Sequence, residues 1–339
     1  MEGWPGFAGA LHVSNGDCTD LVGTGVVRRV LYWRDVLHEG PVPAVGREEL
    51  RRVRGEFLGG AETVRQLRER DAVLEGNRDG EYVLWFEADL YDQLQIVEIL
   101  SCLGELGVAA ERVRLICVGE HPGIAGFGGL GELRAEELRE LAATRACAVL
   151  TPDAFELAAR AWAAFRAPVP DGLGAVAAAR PGELRFLGEA FDRLGREYPS
   201  TRDGLSLTER RILAATEREA ARREATGREG GGWGAVARDV FVRASAREAR
   251  RFLGDTWAFA AMERLARGAR PLLELRPAGA PVGPATRLRL TPAGTRVLAG
   301  EEDHVRLNGI DRWIGGVHLT GHDVPWRWDE GREALTPAP

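Results

Sequence analysis

The 339-residue chain has no lysine; all 45 of its basic residues are arginine. That absence excludes a lysine Schiff base and the lysine of a phosphate-binding loop, and GC-rich coding accounts for it. Cysteine is scarce. Cys18, Cys102, Cys117 and Cys147 are scattered without a CxxC pair, which argues against structural zinc and fits free thiols in a reducing compartment. The N-terminus shows no basic region followed by an apolar run, and no apolar stretch reaches spanning length. The expected location is therefore the cytoplasm, with no membrane partner. Neither GxGxxG nor a Walker motif is present. A net charge of −6 argues against a chain-wide nucleic-acid footprint but leaves room for a local basic patch.

What is there is globular. Apolar residues make up 45% of the chain and charged residues 28%, ordinary values for a chain able to bury a full core. Strand and helix patterns alternate through residues 1–150. Ala10–Ser14, Val26–Trp33, Tyr82–Phe86 and Val113–Val118 read as strands. Glu48–Arg70 reads as surface helices, and Leu90, Leu94, Val97, Leu100 and Leu103 repeat at helical spacing. Strands separated by helices imply parallel pairing with right-handed crossovers. The expected fold is α/β: a Rossmann-like three-layer parallel sheet over 1–150, a helical linker over 151–200, and a winged-helix-like α+β domain with a Trp-rich tail over 201–339. In the last part, Ser206-Leu-Thr-Glu209 is a capping box, Gly227–Gly232 is a glycine-rich loop, and Asp255 is placed to cap a third helix. Leu272–Arg276 and Thr286–Leu290 read as a hairpin, and a helix starts at Leu290-Thr-Pro-Ala-Gly294. Helices, hairpin and that last helix start resemble winged-helix domains.

Ligands of open parallel sheets bind beyond the carboxyl ends of the strands, and the strand ends here are polar. The first delivers Asn15, Gly16 and Asp17; the second Arg34, Asp35, His38 and Glu39; the third Glu87, Asp89, Asp92 and Gln93; the fourth Glu120 and His121. Carboxylates and a histidine sharing a cleft shift one another toward neutral titration, which suits acid–base work. The same set could hold Mg²⁺ through oxygens or a softer metal through His38; the sequence names no cofactor. The expected catalytic residues are His38 as acid or base, Asp35 orienting it, and Asp17. Asn15, Gly16, Arg34, Glu87, Asp89 and Gln93 would bind a small anionic or nucleotide-like ligand. Other readings stay open. Asp17 and Asp89 can cap helices, Arg34 can pair with Asp35 or Glu39 on the surface, the Asn15-Gly16-Asp17 turn can meet an anion, and Cys18 with His38 can act as a nucleophile pair.

The blocks His12-Val-Ser-Asn-Gly-Asp-Cys18, Trp33-Arg-Asp-Val-Leu-His-Glu-Gly-Pro41, Asp89-Leu-Tyr-Asp-Gln-Leu94, Asn308–His318 and Trp326-Arg-Trp-Asp329 together resemble a bacterial family catalogued as domain of unknown function 1835. The resemblance covers most of the chain and implies an architecture, not a reaction. Family members read GDS where this chain has Asp17-Cys18, so no hydroxyl nucleophile is carried over.

A second class of function competes, that of a non-catalytic regulator. A winged helix reads DNA through its third helix, but Thr256-Trp-Ala-Phe-Ala-Ala-Met262 is apolar, with Arg264 and Arg267 only at its end. A base-reading helix needs polar residues near its start. That composition favours packing against the first domain, a second subunit or a peptide over nucleic acid. In the tail, Asn308, Asp311, Arg312, Trp313, His318, Trp326 and Trp328 can stack on a planar ligand, but tryptophans that close a hairpin core explain them more simply.

Overall fold

The computed structural model describes residues 7–225 and 233–338; the Gly227–Gly232 loop lies outside them. The chain divides into two units, Met1–Arg193 with Trp313–Val317, and Leu194–Arg312 with His318–Pro339. No helix among the described residues is long and apolar enough to cross a membrane.

The first unit runs β1 (Leu11–Ser14), β2 (Val30–Tyr32), α1 (Arg47–Leu58), α2 (Ala61–Gly76), β3 (Tyr82–Glu87), α3 (Leu90–Glu105), β4 (Val113–Val118), α4 (Ala135–Leu141), β5 (Cys147–Val149), α5 (Pro152–Arg166) and α6 (Leu173–Ala177). A further helix, α7 (Leu187–Gly195), reaches the division between the units. One sheet orders the strands β2-β1-β3-β4-β5. The first four pair in parallel, whereas β5 runs antiparallel to β4. The expected all-parallel sheet is thus mostly parallel. β5 escapes the sequence pattern because three half-exposed residues carry no periodicity. β2 is shorter than Val26–Trp33 because only His12–Ser14 of β1 pair with it, and a single 3-10 turn at Val22–Thr24 lies in the crossover between the two strands.

β3 is the central strand, and Tyr82–Phe86 are all buried, as a strand covered on both faces requires. Val83, Trp85, Ile116 and Val118 face a cluster with Leu130, Leu133, Leu138 and Leu141. By alternation Cys117 faces the other side, where Gln93 of α3 donates to its Sγ at 3.4 Å. Trp313–Val317 joins this unit through backbone bonds from Val42 N to Gly315 O (2.8 Å) and from Gly316 N to Phe165 O (2.9 Å). Gly316 must be glycine, because a Cβ would sit 1.9 Å from the Arg166 carbonyl.

The second unit begins with α8 (Leu207–Ala225). It continues through β6 (Ala235–Val236), α9 (Ala237–Ser245), α10 (Asp255–Leu265), β7 (Leu273–Arg276), β8 (Arg287–Leu290), α11 (Pro292–Ala299) and α12 (His304–Asn308). Strands β9 (Ile310–Ile314), β10 (Val317–Gly321), β11 (Trp326–Asp329) and β12 (Ala334–Pro337) end the chain. The expected hairpin is β7–β8, with β6 added to form a three-stranded antiparallel sheet. The capping box forms: Ser206 N donates to Glu209 Oε2 (2.8 Å) and Glu209 N to Ser206 Oγ (3.2 Å). Asp255 does not cap α10. Gly254 holds that position and Asp255 is the first helical residue, where its charge meets the positive helix end. The apolar residues of α10, including Phe259, Met262 and Leu265, lie in this unit's own core with Ile212, Leu213, Leu273 and Leu288.

Candidate functional site

The sheet order reverses between β1 and β3. The chain leaves β1 for β2 on one side and returns to β3 on the other, which opens a crevice outside the carboxyl ends of that pair. Three acids meet there, and one carboxylate oxygen from each of Glu87, Asp89 and Asp92 lies within 4.8 Å of the other two. Asp89 caps α3 by accepting from Asp92 N at 3.1 Å. Asp92, fully buried, accepts from Asn15 Nδ2 at 2.8 Å and from Glu87 N at 2.5 Å, so it ties β1 to β3. Glu87 Oε1 accepts from Leu130 N at 2.7 Å. Gly129 permits that reach, since a Cβ there would come within 2.5 Å of the Glu87 carboxylate. Gln93 donates to the Glu87 carbonyl at 2.8 Å.

Among the described residues no arginine pairs with these three acids. Burial therefore acts on them without a counter-charge. It pushes Glu87 up to about 7. Asp89 also rises to about 7, through burial and then the charge of Glu87. Asp92 is raised well above its ordinary range by burial and by both neighbours. Near neutral pH the cluster holds protons unless a cation replaces them.

The 34–41 segment is placed differently from the sequence expectation. Asp35 is buried and accepts from Arg54 Nη2 at 2.6 Å and Nε at 3.0 Å. The same guanidinium donates to the carbonyls of Val36 (2.9 Å), Glu39 (2.8 Å) and Pro41 (3.2 Å), and Gln95 donates to Asp35 O (2.9 Å). One buried arginine thus fixes the whole turn that carries His38. His38, 9% exposed, lies edge-on to Tyr91, with ring centroids 5.8 Å apart. Tyr91 stands next to the acids on α3, and burial pushes its hydroxyl up to about 12, with the charges of Asp92, Asp35 and Asp89 acting in the same direction. Asp17 and Arg34 form an exposed pair at 2.8 Å, and Gly16 adjoins them in the same turn, its carbonyl accepting from Ser14 Oγ at 3.3 Å. Cys18 is exposed. The structure therefore brings together Asn15, Glu87, Asp89, Asp92 and Gln93, with His38 reaching them by way of Tyr91. It holds Asp35 in an ion pair and Asp17 with Arg34 at the surface.

Three features went unread in the sequence. Arg54 is one. A second is the buried network in which Glu98 accepts from Trp33 Nε1 and Arg51 Nη1, both at 2.7 Å, while Arg51 and Arg70 bond Asp71. The available signal was the stripe Asp92, Gln95, Glu98, polar at three-residue spacing on a helix that is buried over most of its length. The third is a cleft of about 380 Å³ at the end of β4, lined by His121, Arg145, Arg185 and Phe186 among others. Arg185 donates to the Cys117 carbonyl there (3.1 Å), and Cys117 Sγ contacts the Glu87 carbonyl (3.4 Å). Cleft and acid cluster thus share one residue of β4.

In the tail, Asn308 bonds the backbone of Arg270 as both acceptor and donor, and the buried Trp328 packs on Gly195. These residues serve packing. No family model matches the chain, and no curated protein matches it.

Proposed function

We propose that the first unit is a Rossmann-like enzyme domain, and the second winged-helix-like, in a chain of the domain-of-unknown-function-1835 type. Its crevice between the ends of β1 and β3 binds a small anionic or nucleotide-like ligand and carries out acid–base or cation-assisted transfer or hydrolysis. The observation that carries this reading is the convergence of half-buried Glu87 with buried Asp89 and Asp92, without a guanidinium among the described residues, at the reversal point of the sheet. Uncompensated buried carboxyls destabilise a fold, and functional sites are where such groups are kept. Glu87 and Asp89, titrating near 7, can give or take a proton at physiological pH. A divalent cation with oxygen ligands is the other means of neutralising them. His38 is the second acid–base group, held in position by the Arg54 clamp. The arginines and Phe186 of the neighbouring cleft suit an anionic ligand with a planar part.

Calorimetric titration of the full chain with Mn²⁺, and a thermal-shift panel of nucleotides and phosphosugars, test this. Mn²⁺ must displace protons to bind, so its affinity rises as pH increases through about 7. A saturating ligand at about 100 times its Kd stabilises the protein by about 2.7 kcal/mol, and Asp92→Asn or Glu87→Gln abolishes the response. If Mn²⁺ and the whole panel leave the melting temperature unchanged, or if both variants respond like the wild type, the site is not there.

A further inference from the structure

We infer that the outer face of the β6-β8-β7 sheet in the second unit is a docking platform for single-stranded nucleic acid. This site is separate from the crevice of the first unit and does not depend on it.

The argument starts from charge. Between Trp233 and Gly300 the sequence has twelve arginines and five acids, within a chain whose net charge is −6. Strand register then concentrates part of that charge. Leu275 pairs with Leu288 and Leu273 with Leu290, and these four face the core. The alternate pairs, Arg276 with Arg287 and Glu274 with Arg289, therefore share the opposite face. Arg276 and Arg289 are exposed there. Trp233 lies against them, its ring centroid 4.2 Å from the Arg276 guanidinium and 4.9 Å from that of Arg289. Glu274 bonds Arg289 at 2.9 Å, but both partners are about half exposed, so solvent weakens the pair.

An indole that holds guanidinium planes orders side chains that otherwise lose rotamer freedom on binding. A base stacks on such a cation–ring assembly, while the guanidinium fork bonds a phosphate oxygen. Stacking needs an unpaired base, which selects a single strand over a duplex. Among the described residues the face offers cations, a ring and one carboxylate, Glu274, which is engaged by Arg289, so binding tolerates any sequence. Nothing on it discriminates a 2′-hydroxyl, so DNA and RNA strands are equivalent. The apolar α10 takes no part, which is why the sequence of that helix gives no sign of the function.

Fluorescence anisotropy of the full chain with labelled oligo(dT) of about twelve nucleotides tests the inference. With three arginines engaged, affinity falls about twentyfold between about 50 and about 200 mM salt. Arg276→Glu weakens binding at least about tenfold, and so does Trp233→Leu, whereas Trp233→Phe retains most of it. Arg276→Glu leaves the melting temperature and the Mn²⁺ response of the wild type in place, which separates this inference from the proposed enzyme site. Oligo(U) of the same length binds as oligo(dT) does. The platform is overturned if Arg276→Glu binds like the wild type, if a duplex of equal length binds as tightly as the single strand, or if binding is confined to one sugar.

Discussion

Two sets of acids with opposite electrostatics lie along helix α3 and the strand end before it. At its start, Asp92 and its neighbours Asp89 and Glu87 are raised in pKa. Two turns on, Glu98 is equally buried, yet it titrates below the ordinary range: burial alone would raise it, but the guanidiniums of Arg51 and Arg70 hold it down. Arg70 also covers the Trp33 ring at 3.5 Å. Desolvation acts on both sets alike, so burial does not decide which way an acid's titration moves. The counter-charge does. Where arginines answer the carboxylate, the group is fixed as an ion and holds α1, α2 and α3 together. Where none does, the group remains able to exchange a proton or accept a cation.

The contrast is broken most severely by removing Glu98. Glu98→Ala leaves the buried Arg51 with Asp71 alone and Trp33 Nε1 without its acceptor, and should cost about 3–5 kcal/mol in chemical denaturation. A loss under about 1 kcal/mol would mean that the network is not the brace described above. The opposite sign is expected at the other set. Glu87→Gln keeps an acceptor for Leu130 N and removes a carboxyl raised to about 7, so at pH 8 it should stabilise the fold by about 2 kcal/mol.

The pH dependence sharpens this. Glu87 and Asp89 bind protons more tightly folded than unfolded. Their contribution to stability is therefore most favourable below the ordinary carboxylate range near 4 and falls as pH rises toward about 7, where their penalty is nearly complete. Glu98 contributes in the opposite sense, with its stabilisation present above about 4 and lost as pH falls through its depressed folded value. Equilibrium unfolding across pH 4 to 8 should show the decline in the wild type and a shallower slope in Glu87→Gln; identical slopes would remove the basis for an uncompensated site. The smallest effect is expected at the exposed Asp17–Arg34 pair. Asp17→Ala should change stability by no more than about 1 kcal/mol, and a larger loss would show that the turn after β1 does more than close the loop.

Much of the framework was legible in the sequence because it rests on local pattern. β4 matches its apolar run residue for residue, β3 extends its run by Glu87 alone, α3 follows its leucine spacing, and the Ser206–Glu209 box caps as its residue types require. The site was legible in part. Asn15, Glu87, Asp89, Asp92 and Gln93 were placed at strand ends and do converge. Asp35 was expected to orient His38, whereas its ionic partner, Arg54, lies 19 residues away on α1. No local pattern carries that information. β2 and β5 were misjudged because short edge strands have too few residues to show a period.

By itself the sequence determined where most strands and helices form, which helix start is capped, and that no lysine would answer a buried acid. Tertiary structure decided which acids were answered. The ionisation of Glu98 and Asp92 depends on burial and on the charges within a few ångströms, and those are set by chain crossings that bring distant residues together. Coulombic and desolvation energies follow distance and burial, and neither quantity is a property of any one stretch of sequence.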